Sequence, residues 1–191
     1  RRFFFQVTGA LSTAPVVLAA NASPSIISSI QGPVQDLIAP GHWLGQLIGI
    51  NSKTVQWNFS DATPDQVSTA LVKVLNDLTP ERRSKLCIPE FDITRADSTK
   101  VHVRTWTKNE WLDSLDVSLK QDENGGCVAE ASFYATGFLP TSIPGAPIIN
   151  IGFAWFPFAS PGPRGEMLQD FRLRALQSLV SKQLQETKKG A

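Results

Sequence analysis

Cysteine and histidine are scarce in this sequence of 191 residues, which contains two of each. Two cysteines without a CxxC spacing exclude a disulfide-rich scaffold, and the two Cys and two His side chains lack the ligand spacing of the usual zinc sites. The sequence also lacks a P-loop, a GxGxxG, a GxSxG and an HExxH motif, so no familiar nucleotide site or catalytic nucleophile can be assigned. We therefore predict that the protein is not an enzyme and holds no metal ion.

Only His42 and His102 could act as bases near neutral pH. His42 lies in a glycine-rich segment and His102 alternates with apolar residues on a predicted strand, so we interpret both as structural or exposed. Glu90 and Asp92 share one face of another predicted strand. We interpret this pair as a solvated strand face rather than as a cation site.

Charge is low and unevenly distributed. Charged residues make up 18% of the chain and the net charge is +1, which excludes the basic surface typical of nucleic-acid binding. Between Arg2 and Lys53 the only charged residue is Asp36, and there is none between Glu130 and Arg164. The apolar fraction of 42% is enough for one domain with a core. The two uncharged stretches indicate a membrane or partner surface.

The N-terminal residues form the pattern of an export signal. Arg1 and Arg2 precede an uncharged, moderately apolar run over residues 3–20, and Ala20 and Ala22 provide a small-x-small cleavage site. The arginine pair followed directly by Phe resembles twin-arginine (Tat) signals. We assign residues 1–22 to a signal that is either cleaved or retained as a transmembrane anchor, since the run reaches the short end of the ~17–25 residues that span a bilayer. The alternative is a buried N-terminal strand or helix preceded by two chance arginines.

The sequence does not begin with Met, which favours a transit peptide removed upstream of Arg1. We therefore expect the protein on the lumenal side of the thylakoid in a chloroplast, anchored if the signal is retained. The bacterial periplasm is the alternative location.

An apolar segment over residues 23–52 separates this signal from the globular part. Its prolines divide it into short pieces, and Gly41, Gly45 and Gly49 recur every four residues around Trp43. On a helix this spacing creates a smooth face for close packing against another helix. The alternative is a turn-rich linker with scattered glycines. In either case we expect the segment to lie against a membrane or a partner.

Residues 53–191 have the pattern of an α+β domain. An alternating stretch over residues 54–59 predicts a strand, and the capping box of Thr63 and Gln66 begins a helix. Further alternation predicts antiparallel strands, and a long amphipathic helix starts near Pro163. We predict an antiparallel sheet with helices packed on one face, a long C-terminal helix and an N-terminal apolar signal or anchor helix. The four further strands cover residues 88–94, 100–107, 115–119 and 127–135, with a hairpin turn over 122–126.

The uncharged stretch over residues 137–163 contains six prolines and therefore cannot form a membrane-spanning helix. Residues 148–155 could form a buried strand that places Ile149, Ile151 and Phe153 in the core. The alternatives are a docking or membrane-interface loop and the wall of a pocket for an apolar ligand. We favour docking because the N-terminal segment is apolar too. The candidate residues are Trp43, Phe138, Phe153, Trp155, Phe156 and Phe158.

Cys87 directly precedes one predicted strand, and Cys127 lies on the apolar side of another. If those two strands are neighbours, a disulfide is feasible in an exported compartment. Otherwise we expect two buried thiols.

The C-terminal half of the chain, residues 101–184, resembles an uncharacterised family of bacteria and plastids, the domain of unknown function numbered fourteen ninety-nine. The resemblance is carried by Trp155-Phe156-Pro157-Phe158, by a turn that contains Gly162 and by Leu173-Arg174-Ala175-Leu176. The sequence departs from the family at residues 161–165, where an Asp- or Asn-bearing turn is expected. The resemblance implies neither an activity nor catalytic residues.

These features lead to one functional prediction and one alternative. We predict a non-catalytic accessory or assembly subunit of a photosynthetic membrane complex, a photosystem, that docks from the lumenal side. Its partners would be photosystem subunits or antenna proteins and membrane lipids, with no nucleic acid. The alternative is a carrier of an apolar ligand, a lipid, pigment or quinone, and only in that case do we expect a bound pigment or lipid.

Overall fold

A five-stranded antiparallel sheet is the centre of the structure. The computed structural model describes residues 24–39, 52–153 and 164–190. The sheet has the order β1-β5-β4-β3-β2. Its strands are β1 (Ser52–Phe59), β2 (Glu90–Ala96), β3 (Lys100–Trp106), β4 (Leu112–Gln121) and β5 (Cys127–Ala135). The described helices are α1 (Ile26–Leu37), α2 (Pro64–Asn76), α3 (Pro80–Lys85), α4 (Ala146–Gly152) and α5 (Arg164–Gly190). This confirms the predicted α+β class, the antiparallel sheet and the C-terminal helix.

The strand register separates an apolar face from a polar face. Val101 lies opposite Val117, which in turn lies opposite Ala131. One residue further along, His102 lies opposite Asp116, which lies opposite Ser132. Since successive side chains point to opposite faces, the first row enters the core and the second lies on the other face of the sheet.

Helices α2 and α5 cover the apolar face. Thr63 caps α2 in the predicted capping box with Gln66, and Pro64 occupies its first turn. The side chains of Met167, Leu168, Phe171 and Ala175 on α5 are buried against the sheet. Leu184, further along α5, is exposed.

Helix α1 lies on the opposite, polar face of the sheet, so the prediction that helices pack on one face is incomplete. Asp36 of α1 forms hydrogen bonds with His102 and Ser114, whose side chains belong to the polar face. α1 packs on this face because the side of the helix that it turns to the sheet carries polar residues. Its residues belong to the segment 23–52 that was expected to be a separate linker or docking segment.

Helix α4 replaces the strand predicted over residues 148–155, and this part of the prediction is wrong. Gly145 takes a left-handed backbone conformation before the helix, and Pro147 lies in its first turn. Proline has no N–H for a sheet ladder but suits a helix start, which explains the outcome. Ile149, Ile151 and Phe153 are consequently exposed rather than in the core.

The remaining strand predictions differ only at their boundaries. Strand β2 begins at Glu90 rather than at Ile88, after the backbone has passed through a left-handed conformation at Cys87. The predicted hairpin between β4 and β5 is confirmed, with Asp122 and Gly126 paired across the turn.

Several predicted features lie outside the described residues: Arg1, Arg2, Ala20, Ala22, Gly41, His42, Trp43, Gly45, Gly49, Trp155, Phe156 and Phe158. None of the helices in residues 24–39, 52–153 and 164–190 combines the length and apolarity that crossing a bilayer needs.

Candidate functional site

Helix α1 has its polar side turned toward the protein and its apolar side turned outward. The buried positions are Ser28, Gly32, Gln35 and Asp36, whereas the apolar positions are exposed. Ile26 and Leu37 are 80% and 81% exposed, and Asp36 is 7% exposed. This is the reverse of the usual amphipathic helix, whose apolar stripe faces the core.

Glu110 holds the N-terminal end of α1. Its carboxylate accepts hydrogen bonds from the backbone N–H of Ser25 at 2.9 Å, from the Ser25 hydroxyl at 2.8 Å and from the Ser28 hydroxyl at 2.5 Å. Burial alone would raise the pKa of Glu110, but these hydrogen bonds lower it below its ordinary value. Glu110 also takes a left-handed backbone conformation with φ at 61°, which is strained for a residue other than glycine. A carboxylate at a helix N-terminus is favoured by the unpaired N–H groups and the helix dipole.

Two glutamines join the middle of α1 to the segment around α4. The Gln31 side chain donates to the carbonyls of Thr141 and Ile143 at 2.9 and 2.8 Å. Gln35 donates to the Thr136 hydroxyl at 2.9 Å and accepts from Asn150 of α4 at 3.0 Å. Because both side-chain amides form hydrogen bonds within the protein, they attach α1 to the segment around α4.

Gly32 permits the close approach of α1 to the sheet. A Cβ atom at this position would lie 2.8 Å from Cζ2 of Trp106, closer than real side chains approach each other. Any larger residue would therefore push α1 away from the Trp106 ring.

A charged cluster holds the C-terminal end of α1. His102 lies between two carboxylates, with Nε2 at 2.7 Å from Asp36 Oδ2 and Nδ1 at 2.5 Å from Asp116 Oδ1. The Ser114 hydroxyl donates to Asp36 Oδ1 at 2.5 Å, and Lys100 Nζ lies 2.9 Å from Asp116 Oδ1. Tyr134 donates from its hydroxyl to Asp116 Oδ2 at 3.2 Å. We call Asp36, Lys100, His102, Asp116 and Tyr134 the α1 clamp.

The environment of the clamp keeps its charges fixed at neutral pH. Burial lowers the pKa of His102, but hydrogen bonds and charges from Asp116 and Asp36 raise it to about 9. For Asp116, burial raises the pKa, and the bonds from His102 and Lys100 bring it below its ordinary value. Burial and the neighbouring carboxylates raise the pKa of Tyr134 far above its ordinary value. An imidazolium with both N–H groups bonded has no lone pair for proton abstraction, so His102 acts as a structural cation. No group of three or more His, Cys, Asp or Glu side chains in the described ranges is arranged to hold a metal ion.

Exposed apolar side chains lie on the outward side of α1 and on the neighbouring segment around α4, and together we call them the α1–α4 surface. The rings of Phe138 and Phe153 belong to it and lie 6.0 Å apart. All of its members are aliphatic or phenylalanine side chains that are at least 39% exposed: Ile26, Ile27, Ile30, Val34, Leu37, Phe138, Ile143, Ile148, Ile149, Ile151 and Phe153. Large exposed apolar areas often mark interaction sites.

The structure thus brings together two of the predicted docking residues, Phe138 and Phe153, and adds the stripe on α1. The spacing of Ile26, Ile30, Val34 and Leu37 could have been found as a helical stripe. It was missed because Pro24 and Pro33 were interpreted as breaks, whereas Pro33 is accommodated within α1. The clamp was missed because its partners are far apart in the chain, although a single acid in an uncharged stretch should have suggested a buried cationic partner.

Of the two alternatives for the cysteines, a disulfide or two free thiols, the structure has the free thiols. Both cysteines are free, with Cys127 buried and Cys87 half-buried. The strand after Cys87 is β2 and the strand of Cys127 is β5, and β3 and β4 lie between them. The condition that the two strands be neighbours is therefore not met, since three strand spacings amount to about 14 Å.

The side of α5 that faces the sheet is packed, and a separate groove lies between α2 and α5. The core side of α5 is filled by Met167, Leu168, Phe171 and Ala175, each at most 1% exposed. A groove of about 520 Å³ lies between α2 and α5, and its lining combines the charged residues Lys73, Asp77, Arg174 and Lys182 with the apolar residues Ala70, Val74 and Leu179. The carrier alternative stays a prediction, which extraction of a stoichiometric lipid, pigment or quinone would support.

No protein-family model and no curated protein sequence matches the chain. Among solved structures, Ara h 8.0201 is similar at 11% identity and a TM-score of 0.35, over 70% of this chain and 99% of that one. CalU16 from Micromonospora echinospora is similar at 15% identity and a TM-score of 0.35, over 71% of this chain and 79% of that one. CV1439 from Chromobacterium violaceum is similar at 12% identity and a TM-score of 0.28, over 58% of this chain and 99% of that one. These low values carry no argument for a function, which must be argued from the residues of this chain.

Proposed function

We propose that this protein is a non-catalytic accessory or assembly subunit that docks from the lumenal side on a photosynthetic membrane complex, and that the α1–α4 surface attaches it at the membrane that holds this complex. The observation that carries the proposal is the inverted orientation of α1, which turns its apolar side outward. The export pattern of residues 1–22 supports a location on the lumenal side of the thylakoid, with the bacterial periplasm as the alternative. The resemblance of residues 101–184 to the family of unknown function stays a prediction.

The orientation of α1 depends on polar contacts rather than on burial of apolar area. A helix of 12 residues is marginal by itself. Glu110 at one end and the clamp at the other end hold it against the sheet. Such bonds contribute about 0.5–1.5 kcal/mol each when neutral and somewhat more when charged. A chain that uses this set of bonds to present apolar residues to the outside has a surface suited to a partner.

Covering the α1–α4 surface would release a large free energy. Five aliphatic side chains of α1 are exposed: Ile26, Ile27, Ile30, Val34 and Leu37. Full burial of one such side chain is worth roughly 1.5–3 kcal/mol. Even partial burial of the side chains of α1 and α4 is therefore enough to drive association, once the free-energy cost of lost translational and rotational freedom is subtracted.

The non-catalytic part of the proposal is supported by the state of the clamp. Its histidine, the one histidine among the described residues, has both nitrogens bonded to carboxylates. The polar groups that could have formed an active site instead hold α1 in place.

The test is co-migration of the full chain with a complex. Tagged protein is expressed in a plastid-bearing host, the membranes are solubilised in mild detergent, and the extract is separated on a density gradient. We expect the protein in the photosystem fractions, and we expect the double variant Ile30→Asp/Val34→Asp to leave them. The matched control is Val180→Asp/Leu184→Asp, which places the same charges on exposed apolar positions of α5 and should still co-migrate. A freely soluble monomer in the lumen would contradict the proposal.

A further inference from the structure

We propose that the α1–α4 surface contacts the lipid bilayer itself, at the boundary between head groups and acyl chains, rather than a protein subunit. This inference rests on the proposed function only in placing the protein at a membrane. The observations that carry it are the composition of the surface, its lack of charge, the shape of the α1 stripe and the position of α1 in the chain.

The composition of the surface fits lipid better than a protein partner. Nine of its eleven members are Ile, Val or Leu, and the other two are Phe138 and Phe153. Protein interfaces are enriched in Tyr, Trp and Arg, whose side chains combine apolar area with hydrogen-bonding groups. No member of this surface has a polar side-chain atom, so it can form no side-chain hydrogen bond that would specify a protein partner.

The surface is also neutral. Asp36 is the only charged residue between positions 24 and 39, and it is buried in the clamp. Residues 137–153 contain no charged residue. Most interfacial helices keep a charged side in the water and an apolar side in the acyl chains. In this protein the polar side of α1 forms hydrogen bonds with the sheet instead of with water. The helix therefore needs no charged side to lie at the interface.

The α1 stripe has the dimensions of an interfacial contact. Ile26, Ile30, Val34 and Leu37 follow each other at spacings of four, four and three residues, which keeps them on one side of a helix. Over 12 residues the stripe is about 17 Å long. Interfacial helices bury their apolar side about 5–10 Å into the boundary region, which side chains of this size can reach.

The position of α1 in the chain keeps it close to a bilayer. The apolar run that we assign to the signal or anchor ends at Ala20, and α1 begins six residues later at Ile26. Six residues span at most about 20 Å. If the run enters the membrane, the apolar side of α1 lies within that distance of the interface.

The experiment is flotation with vesicles that contain no protein. The full chain is synthesised in the presence of phosphatidylcholine vesicles, which are then floated on a density gradient. We expect the unmodified protein to float and to do so equally at low and high salt, since the surface is neutral. We expect Ile30→Asp/Val34→Asp to partition roughly tenfold less or weaker still, and Val180→Asp/Leu184→Asp to float like the unmodified protein. All variants keep residues 1–22, so the N-terminal run contributes equally to each.

A second measurement identifies what the surface touches in native membranes. A photoreactive benzophenone amino acid replaces Ile30, and the irradiated membranes are analysed for adducts. A lipid adduct supports the inference, and a protein adduct overturns it. Equal flotation of the Ile30→Asp/Val34→Asp variant and the unmodified protein would also overturn it. Should the double aspartate variant fail to fold by circular dichroism, Ile26→Gln/Leu37→Gln replaces it, with the same expectations.

The two proposals can fail separately. Flotation on vesicles without co-migration with a complex overturns the proposed function and leaves the lipid contact standing. Co-migration with a complex without flotation overturns the lipid contact and leaves the proposed function standing.

Discussion

The α1 clamp predicts a specific dependence of stability on pH. His102 has its pKa raised from 6.5 to about 9 because Asp116 and Asp36 hold both of its nitrogens. A group whose pKa is raised on folding stabilises the protein fully below its unfolded pKa and loses that contribution as the pH rises through its folded pKa. The contribution of His102 is therefore complete at pH 6 and absent at pH 10.

The size of this contribution follows from the shift. A rise of the His102 pKa from 6.5 to about 9 corresponds to about 3 kcal/mol at full value. The imidazole side chain is 13% exposed and lies near Lys100 on the polar face of the sheet, so solvent screening reduces the contribution to roughly 2 kcal/mol. Among the residues that the structure describes, Asp36 from α1, Lys100 from β3, Asp116 from β4 and Tyr134 from β5 are charged or titratable groups of this cluster.

The assay is urea unfolding of the unmodified protein and of His102→Gln at pH 6 and pH 10. Glutamine retains a donor but not the titratable charge. At each pH the free energy of unfolding of His102→Gln is subtracted from that of the unmodified protein. This difference should be roughly 2 kcal/mol larger at pH 6 than at pH 10. Tyr134→Phe, which leaves the imidazole between its carboxylates, should keep the pH dependence of the unmodified protein. Identical pH dependence in His102→Gln and the unmodified protein would refute the clamp.

Three further variants test the attachment of α1 and the core. Gly32→Leu should push α1 off Trp106, costing about 1–3 kcal/mol and raising hydrogen exchange in α1. Glu110→Gln removes the carboxylate that accepts a hydrogen bond from Ser28. It should lower the free energy of unfolding by about 1–2 kcal/mol and raise hydrogen exchange at the N-terminal end of α1. Phe171→Ala opens the core beneath α5 and should cost about 3–5 kcal/mol in urea unfolding.

Each of these variants has a control of the same chemistry at an exposed position. Ser29→Leu, the control for Gly32→Leu, changes an exposed residue of α1 and should leave hydrogen exchange in α1 unchanged. Glu123→Gln lies in the exposed hairpin turn and should have no effect. Phe138→Ala should leave stability within about 0.5 kcal/mol while weakening flotation with vesicles. If a control behaves like its partner variant, the assigned contact is not the cause of the effect.

Local signals in the sequence were enough to predict most of the sheet and one of its helix layers. The alternation in Lys100–Trp106 and Cys127–Ala135 is a period of two that only a strand satisfies. The capping box of Thr63 and Gln66 begins α2 as expected, because both of its hydrogen bonds join residues three apart. Predictions of this kind succeed when the partners are neighbours in the chain.

The candidate site was only partly predictable. The lack of charge over residues 137–163 led to the prediction of a docking surface, and of the residues predicted for it Phe138 and Phe153 are exposed. The strand assigned to the same segment was wrong because the apolar run was given more weight than Pro147. An apolar run of this length fits a strand or a helix equally well, so only the proline could have decided between them.

The sequence by itself determined which residues of α1 share a side, since the spacing of Ile26, Ile30, Val34 and Leu37 is a property of any helix. Only the tertiary structure decided which side faces outward. Asp36 is 66 residues from His102 and 78 residues from Ser114, and the register of β3 and β4 brings these two side chains together on the polar face. Burying Asp36 without these partners would cost several kcal/mol, so the acid can turn inward only where the folded sheet supplies a cation and a hydroxyl. That long-range pairing turns the apolar side of α1 outward.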